Sequence, residues 1–200
     1  DFGISSFTHI PVGVDCHKFY PGPVRESRVK IVAMHRPSTP RRGAKRLQRL
    51  YVNLRERYGD QVSLETFGEP CSFSDTHHGK VSQDKVAQIM RDASIVLEPS
   101  DFQGFGLPGL EGMASGCAVV STDNMGVHEY GRHGENCFIA NTDEDLLGHL
   151  YELVDNPELV ERMGSEGRQT ALNFDWSIIA DKWAEHLTSL YKKSGFTKHL

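Results

Sequence analysis

An α/β fold, an open parallel sheet with helices on both faces, is what this 200-residue sequence predicts. Three observations carry the prediction. Short β-branched apolar runs alternate with amphipathic segments of helical length. Strands separated in that way need crossover connections, which means parallel pairing. The 19 glycines cluster where these runs end, as tight turns do, rather than spreading along the chain.

The elements follow in order. RVKIVAMH (28–35) reads as the first strand. After the turn RPSTPRRG comes a helix in which Ala44, Leu47, Leu50, Tyr51 and Leu54 repeat at three and four. QVSLETFG (61–68) is the second strand. Ser82 is placed to cap the helix QDKVAQIMRDA, with Val86, Ile89 and Met90 turned inward, and SIVLEPS returns as a strand. A short helix after Pro108 ends at Gly116, followed by the strands CAVVST and NCFIAN. Thr142 is a candidate N-cap for TDEDLLGHLYELVDN, and two further helices cover about 157–171 and 176–192. In such sheets ligands bind beyond the carboxyl ends of the strands, here in the loops after Met34, Phe67, Leu97 and Val120.

Composition narrows the function classes. A net charge of −5 gives no global basic field, so nucleic acid is not an expected partner despite the local run RPSTPRRGAKR. The 4 cysteines form no CxxC, which argues against a zinc site or disulfide scaffold and for reduced, partly buried thiols in a cytosolic setting. No run approaches the eighteen or so apolar residues of a membrane span, so any membrane contact would be peripheral.

Several segments, in order, resemble the retaining glycosyltransferases of family 4. IPVGVDCHKFYP (10–21) resembles the family's IPNGVD lead-in, with Val12 for Asn. HRPSTPRRG resembles its G-R-x-x-x-x-x-K-G loop, with His35 for Gly and Arg42 for Lys. PSDFQGFGLPGLEGMASGCAVVST follows the family's central motif nearly position by position, and GVHEYGRHGENCFIA and FDWSIIADKW are similar to its closing segments. The resemblance implies a Rossmann-like sheet, the C-terminal half of a two-domain GT-B fold. Residues 1–200 would form the nucleotide-sugar-binding domain, with 1–24 as an interdomain lead-in and 174–193 as the closing helix. It also implies a nucleotide-sugar donor, a saccharide or lipid-linked acceptor, an N-terminal Rossmann-like acceptor domain that is missing here, no metal and no other cofactor. The expected location is the cytoplasm, or a peripheral seat on the inner membrane face. The Arg-Pro loop is similar to that of enzymes assembling polysaccharides.

The residues carry matching chemistry. Gly104, Phe105 and Gly106, with Leu107, precede a helix N-terminus, where bare N–H groups and the dipole favour a phosphate. The bland alternative is a plain strand-to-helix turn. Glu111 stands among Leu110, Met113 and Ala114, and a carboxylate in so apolar a setting needs partners such as ribose hydroxyls; otherwise it is an ordinary helix glutamate. Arg36 and Arg42, six residues apart, could clamp a diphosphate from two sides; by resemblance they match the Arg and Lys that stabilise it as it departs, which needs no metal ion. The alternative is a solvated basic helix start, which the dipole opposes. By resemblance alone, Gly79, Lys80 and Val81 match the backbone that reads the nucleobase. Gln103 stands, also by resemblance, where the family has a glutamate facing the donor sugar. His77 and His78 read as loop residues.

Two functions follow as expectations. One is the donor domain of a retaining hexosyl- or deoxyhexosyltransferase, inactive in isolation. The other is a non-catalytic nucleotide-sugar or saccharide binding module, for which Gln103 and the missing half speak. A GT-B epimerase or phosphorylase would need carboxylates or a pyridoxal-binding lysine that the sequence does not display.

Overall fold

The computed structural model describes residues 7–22 and 28–193. Parts of the expected lead-in, 1–6 and 23–24, lie outside the described residues. Six strands form one parallel sheet in the order β3-β2-β1-β4-β5-β6: β1 Val29–His35, β2 Val62–Gly68, β3 Thr76–His77, β4 Ile95–Glu98, β5 Ala118–Thr122 and β6 Phe138–Ala140. Six helices connect and cover them: α1 Ala44–Tyr58, α2 Gln83–Arg91, α3 Leu107–Ala114, α4 Asp143–Asp155, α5 Pro157–Leu172 and α6 Trp176–Lys193. The α/β, Rossmann-like architecture expected from the sequence is the one observed.

Alternation along the strands sorts side chains onto two faces. Val32, Phe67, Val96 and Val119 face one apolar layer, filled by Val86 and Met90 of α2 and Leu110 and Met113 of α3. Ile31, Leu64, Ile95, Leu97 and Val120 face the other, filled by Leu47, Leu50 and Leu54 of α1, Leu146 and Leu150 of α4, and Met163 of α5. Because both faces are covered, the strands read as continuous apolar runs.

The caps are the ones the sequence signals. Ser82 Oγ accepts from Lys85 N–H at 3.3 Å, and Thr142 with Asp145 forms a reciprocal capping box. The start of α6 is fixed by Asp175. Its carboxylate accepts from Ser177 N–H at 2.9 Å, Ser177 Oγ–H at 2.6 Å and Cys16 N–H at 3.0 Å, which ties the lead-in to the closing helix.

Two expectations need correction. Thr76–His77 is a strand, not loop: His77 Nδ1 lies 3.0 Å from Thr66 Oγ1, and His78 Nε2 lies 2.7 Å from Glu65 Oε2. The third helix begins at Leu107, before Pro108, because proline is well suited to a first turn that needs no N–H from it. A 3-10 turn at Gly126–Glu129 packs Val127 into the core. All 4 cysteines are free, and Cys16, Cys117 and Cys137 are buried.

Candidate functional site

The strand order reverses between β1 and β4, so the loops after these two strands rim a crevice. They are bound to each other. Asp101 N–H donates to the Arg41 carbonyl at 2.7 Å, and Arg46 of α1 donates to the Pro99 carbonyl at 2.8 Å. Arg46 also pairs with Asp101 at 2.6 Å and Asp143 at 2.5 Å. Two carboxylates thus answer the cation that sits unfavourably near a helix N-terminus. Gly43, at φ 70°, is required by the close passage: a Cβ there would lie 2.0 Å from the Pro99 carbonyl oxygen.

Beside this junction, past the ends of β1 and β2, lies a cleft of about 440 Å³. Of the residues singled out in the sequence it brings together Arg36, Lys80, Val81 and Glu111. Glu111 is desolvated by the apolar wall of α2 and α3. Burial pushes its carboxyl up to about 7, opposed only by the Gln83 amide, which donates to Oε1 at 3.3 Å. Gly79, at φ 71°, turns the backbone so that its carbonyl accepts Gly68 N–H at 2.8 Å. That bond sets residues 79–81 beside the end of β2, with Val81 against the core.

The glycine loop is built differently from the cleft wall. Gly106, at φ 85°, caps α3, and its carbonyl accepts the Tyr130 hydroxyl at 2.6 Å. Phe105 packs on Tyr130 and Phe174, with ring centroids 5.8 and 6.1 Å away. The N–H groups of Gly109 and Leu110 turn back to the Gly106 carbonyl at 3.0 and 3.3 Å. Among the described residues those of Gly104, Phe105 and Leu107 have no acceptor. Such N–H groups at a helix start can receive an anion.

Arg42 and Gln103 do not line the cleft. Gln103 is 7% exposed, and its amide turns inward, donating to Glu98 Oε2 at 3.2 Å and Ser100 Oγ at 3.1 Å. Arg42 lies within electrostatic reach of Glu98, and its buried Nε has no hydrogen-bond partner.

Two cleft residues were not read from the sequence. Glu69 follows Gly68 in a flagged loop. Its carboxyl is held low first by the Ser38 hydroxyl and then by Ser38 N–H at 2.9 Å, while Arg36 Nε lies 3.8 Å away. Gln83 follows the cap of α2, in a turn that faces the carboxyl edge; that position was the available signal. His35, where the resembling family has glycine, forms part of the wall, with Nδ1 3.1 Å from the Glu69 carbonyl oxygen. Among the described residues no group of three or more His, Cys, Asp or Glu is placed to hold a metal ion, and no helix is long and apolar enough to cross a membrane.

Residues 75–170 match the model of the family described as glycosyl transferases group 1. The chain is 31% identical over 201 aligned positions to the MMP alpha-(1->4)-mannosyltransferase of Mycolicibacterium hassiacum, covering 90% of this chain and 48% of that enzyme. It therefore spans about half the length of that relative, and less of the next ones. Two solved structures share the fold. The C-terminal domain of a glycosyl transferase group 1 family protein from Francisella tularensis superposes with a TM-score of 0.70 at 21% identity, over 80% of this chain and 97% of that one. An Anabaena protein crystallised with UDP and glucose gives 0.75 at 19% identity, over 88% and 55%. Over residues 75–170 the chain is thus similar to the glycosyl transferases of group 1, and its parallel fold is shared with both solved structures.

Proposed function

We propose that the chain is the donor-binding half of a retaining family 4 glycosyltransferase, holding a nucleotide-diphosphate sugar across the β1/β4 crevice. The observation that carries this reading is Glu111. It is a half-buried carboxylate in the wall of the cleft that Arg36 and Lys80 also line, with one weak amide donor where a ribose would supply two hydroxyls. The diphosphate lies toward Arg36 and Arg42 and the bare N–H groups of Gly104, Phe105 and Leu107. The base lies on the backbone of Gly79, Lys80 and Val81.

In the reaction the bond from the anomeric carbon to the diphosphate breaks, and its electron pair leaves with the phosphate oxygen. The acceptor oxygen bonds to the same face of the sugar, and its proton passes to the departing phosphate oxygen. Arg36 and Arg42 lower the barrier by neutralising the departing diphosphate, without a metal ion.

The acceptor is a saccharide or lipid-linked saccharide of polysaccharide assembly, held by an N-terminal Rossmann-like domain. Support for that partner comes from α6, where Ile179 is buried while Trp183, Leu187 and Leu190 are exposed. The hexosyl reading draws on the mannosyltransferase relative, and the proposed place of action is the cytoplasm or the inner membrane face. The inward turn of Gln103 favours a second reading, a nucleotide-sugar binding module without catalysis.

Thermal unfolding with UDP, GDP, ADP and dTDP at millimolar concentration tests donor binding: at least one raises the midpoint, and no rise with any of them contradicts it. For the retaining step, NMR of the product made by the full-length enzyme should show the donor's anomeric configuration; inversion would refute it.

A further inference from the structure

Glu98 ends β4 and is 4% exposed, directly beneath the switch point. Three donations from two residues reach its carboxylate. Ser100 gives Oε1 both its N–H, at 3.2 Å, and its hydroxyl, while Gln103 Nε2 donates to Oε2. Ser100 is fixed in turn by Thr122, whose hydroxyl donates to its carbonyl, and Gln103 N–H donates to the Asn124 carbonyl at 2.9 Å. The nearby cation is Arg42, whose buried Nε is left without an acceptor.

A glutamate at 103 could not fill this position in its ionised form. It would remove both amide donations and set a second carboxylate against Glu98 in a water-poor pocket, where like charges cannot both remain ionised. The amide at 103 and the carboxylate at 98 are therefore a matched pair.

We propose that in this chain the buried carboxylate at the switch point is supplied by Glu98 from the strand end, with Gln103 as its neutral donor. This pair positions Arg42 for the donor diphosphate. The inference rests on the reading of the crevice as a nucleotide-sugar site. It makes Gln103 and Glu98 positioning residues that act through Arg42.

The test uses Glu98→Gln, Gln103→Glu and the double exchange E98Q/Q103E. Calorimetry is run with UDP and GDP, and with uridine and guanosine as phosphate-free probes, while urea midpoints are recorded alongside. For the diphosphate that binds the wild type, Gln103→Glu weakens affinity at least tenfold and leaves the nucleoside within twofold. The double exchange recovers to within threefold of wild type. A packing defect alone would move nucleoside and diphosphate together, which overturns the proposal, as does a double variant no better than Gln103→Glu. Should Gln103→Glu fail to fold, Glu98→Gln decides: a diphosphate-selective loss supports the role and unchanged affinity refutes it. If the wild type binds neither diphosphate, the donor-site reading fails and the Arg42 role with it. Recovery of the urea midpoint by the double exchange would then separate a sound Glu98–Gln103 pairing from a wrong ligand.

Discussion

Gln83 Nε2 donates to Glu111 Oε1 at 3.3 Å, joining the first turn of α2 to α3 at the cleft wall. This single amide does not offset the desolvation of the carboxyl, which stands near 7 against an ordinary 4.5. The folded state therefore binds this proton more tightly than the unfolded state. The resulting stability is fully present below pH 4.5 and is lost as pH rises through about 7. Glu111→Gln abolishes the loss. Relative to wild type, the variant should gain up to roughly 3 kcal/mol between pH 5 and pH 8, read from urea unfolding at the two pH values. Parallel behaviour at both would contradict the assigned burial.

Arg46 holds the loop after β4 to α1 and α4 through Pro99, Asp101 and Asp143. Arg46→Ala removes the donations to Pro99 and Asp101 and leaves Asp143 with Arg49 alone, and should cost about 2 kcal/mol. Arg46→Lys recovers only part, because an ammonium cannot reproduce the planar fork. Chemical denaturation of both variants checks the ranking; a loss under about 0.5 kcal/mol for Arg46→Ala would mean the network is an ordinary surface cluster.

Gly112 brings α3 against the sheet. A Cβ there would lie 2.7 Å from Val96 Cγ2. Helix propensity favours alanine by up to about 1 kcal/mol, but forcing Val96 aside costs about 1–3 kcal/mol, so Gly112→Ala should be destabilising overall. In the double variant Gly112→Ala/Val96→Ala the two losses should be less than additive. Strict additivity of the two midpoints would show that the contact is not the cause.

Asp175 joins Cys16 and Ser177 at the head of α6. Its carboxyl is lowered to about 2 by the Ser177 hydroxyl first, then by the Ser177 and Cys16 N–H groups. Stability from this depressed acid is present above its ordinary 3.8 and is lost as pH falls through about 2. Asp175→Ala should therefore cost about 1–2 kcal/mol at pH 7, with the gap to wild type closing toward pH 2. A gap that stays constant with pH would place the effect elsewhere.

The strands and most helices were legible because each carries its own periodicity and cap, as Ser82 and Thr142 illustrate. Thr76–His77 was not. Two polar residues have no period, and only pairing with Glu65 and Thr66 makes them a strand. Glu111 was legible as a charge in the wrong company. Glu69 and Gln83 were not, because a loop glutamate and a first-turn glutamine are ordinary until the fold sets them around one cleft. Gln103 could be located in a motif, but its direction depends on Glu98, five residues back and on another element.

The central claim is that Arg36 holds the diphosphate and Glu111 the ribose of one bound nucleotide. Isothermal titration of the wild type, Arg36→Ala and Glu111→Ala with UDP, GDP, ADP and dTDP tests it most directly. At least one nucleotide should bind the wild type, and each variant should lose tenfold or more for it, about 1.4 kcal/mol, while remaining folded. Full affinity in both folded variants, or no binding of any of the four to folded wild type, would contradict the account.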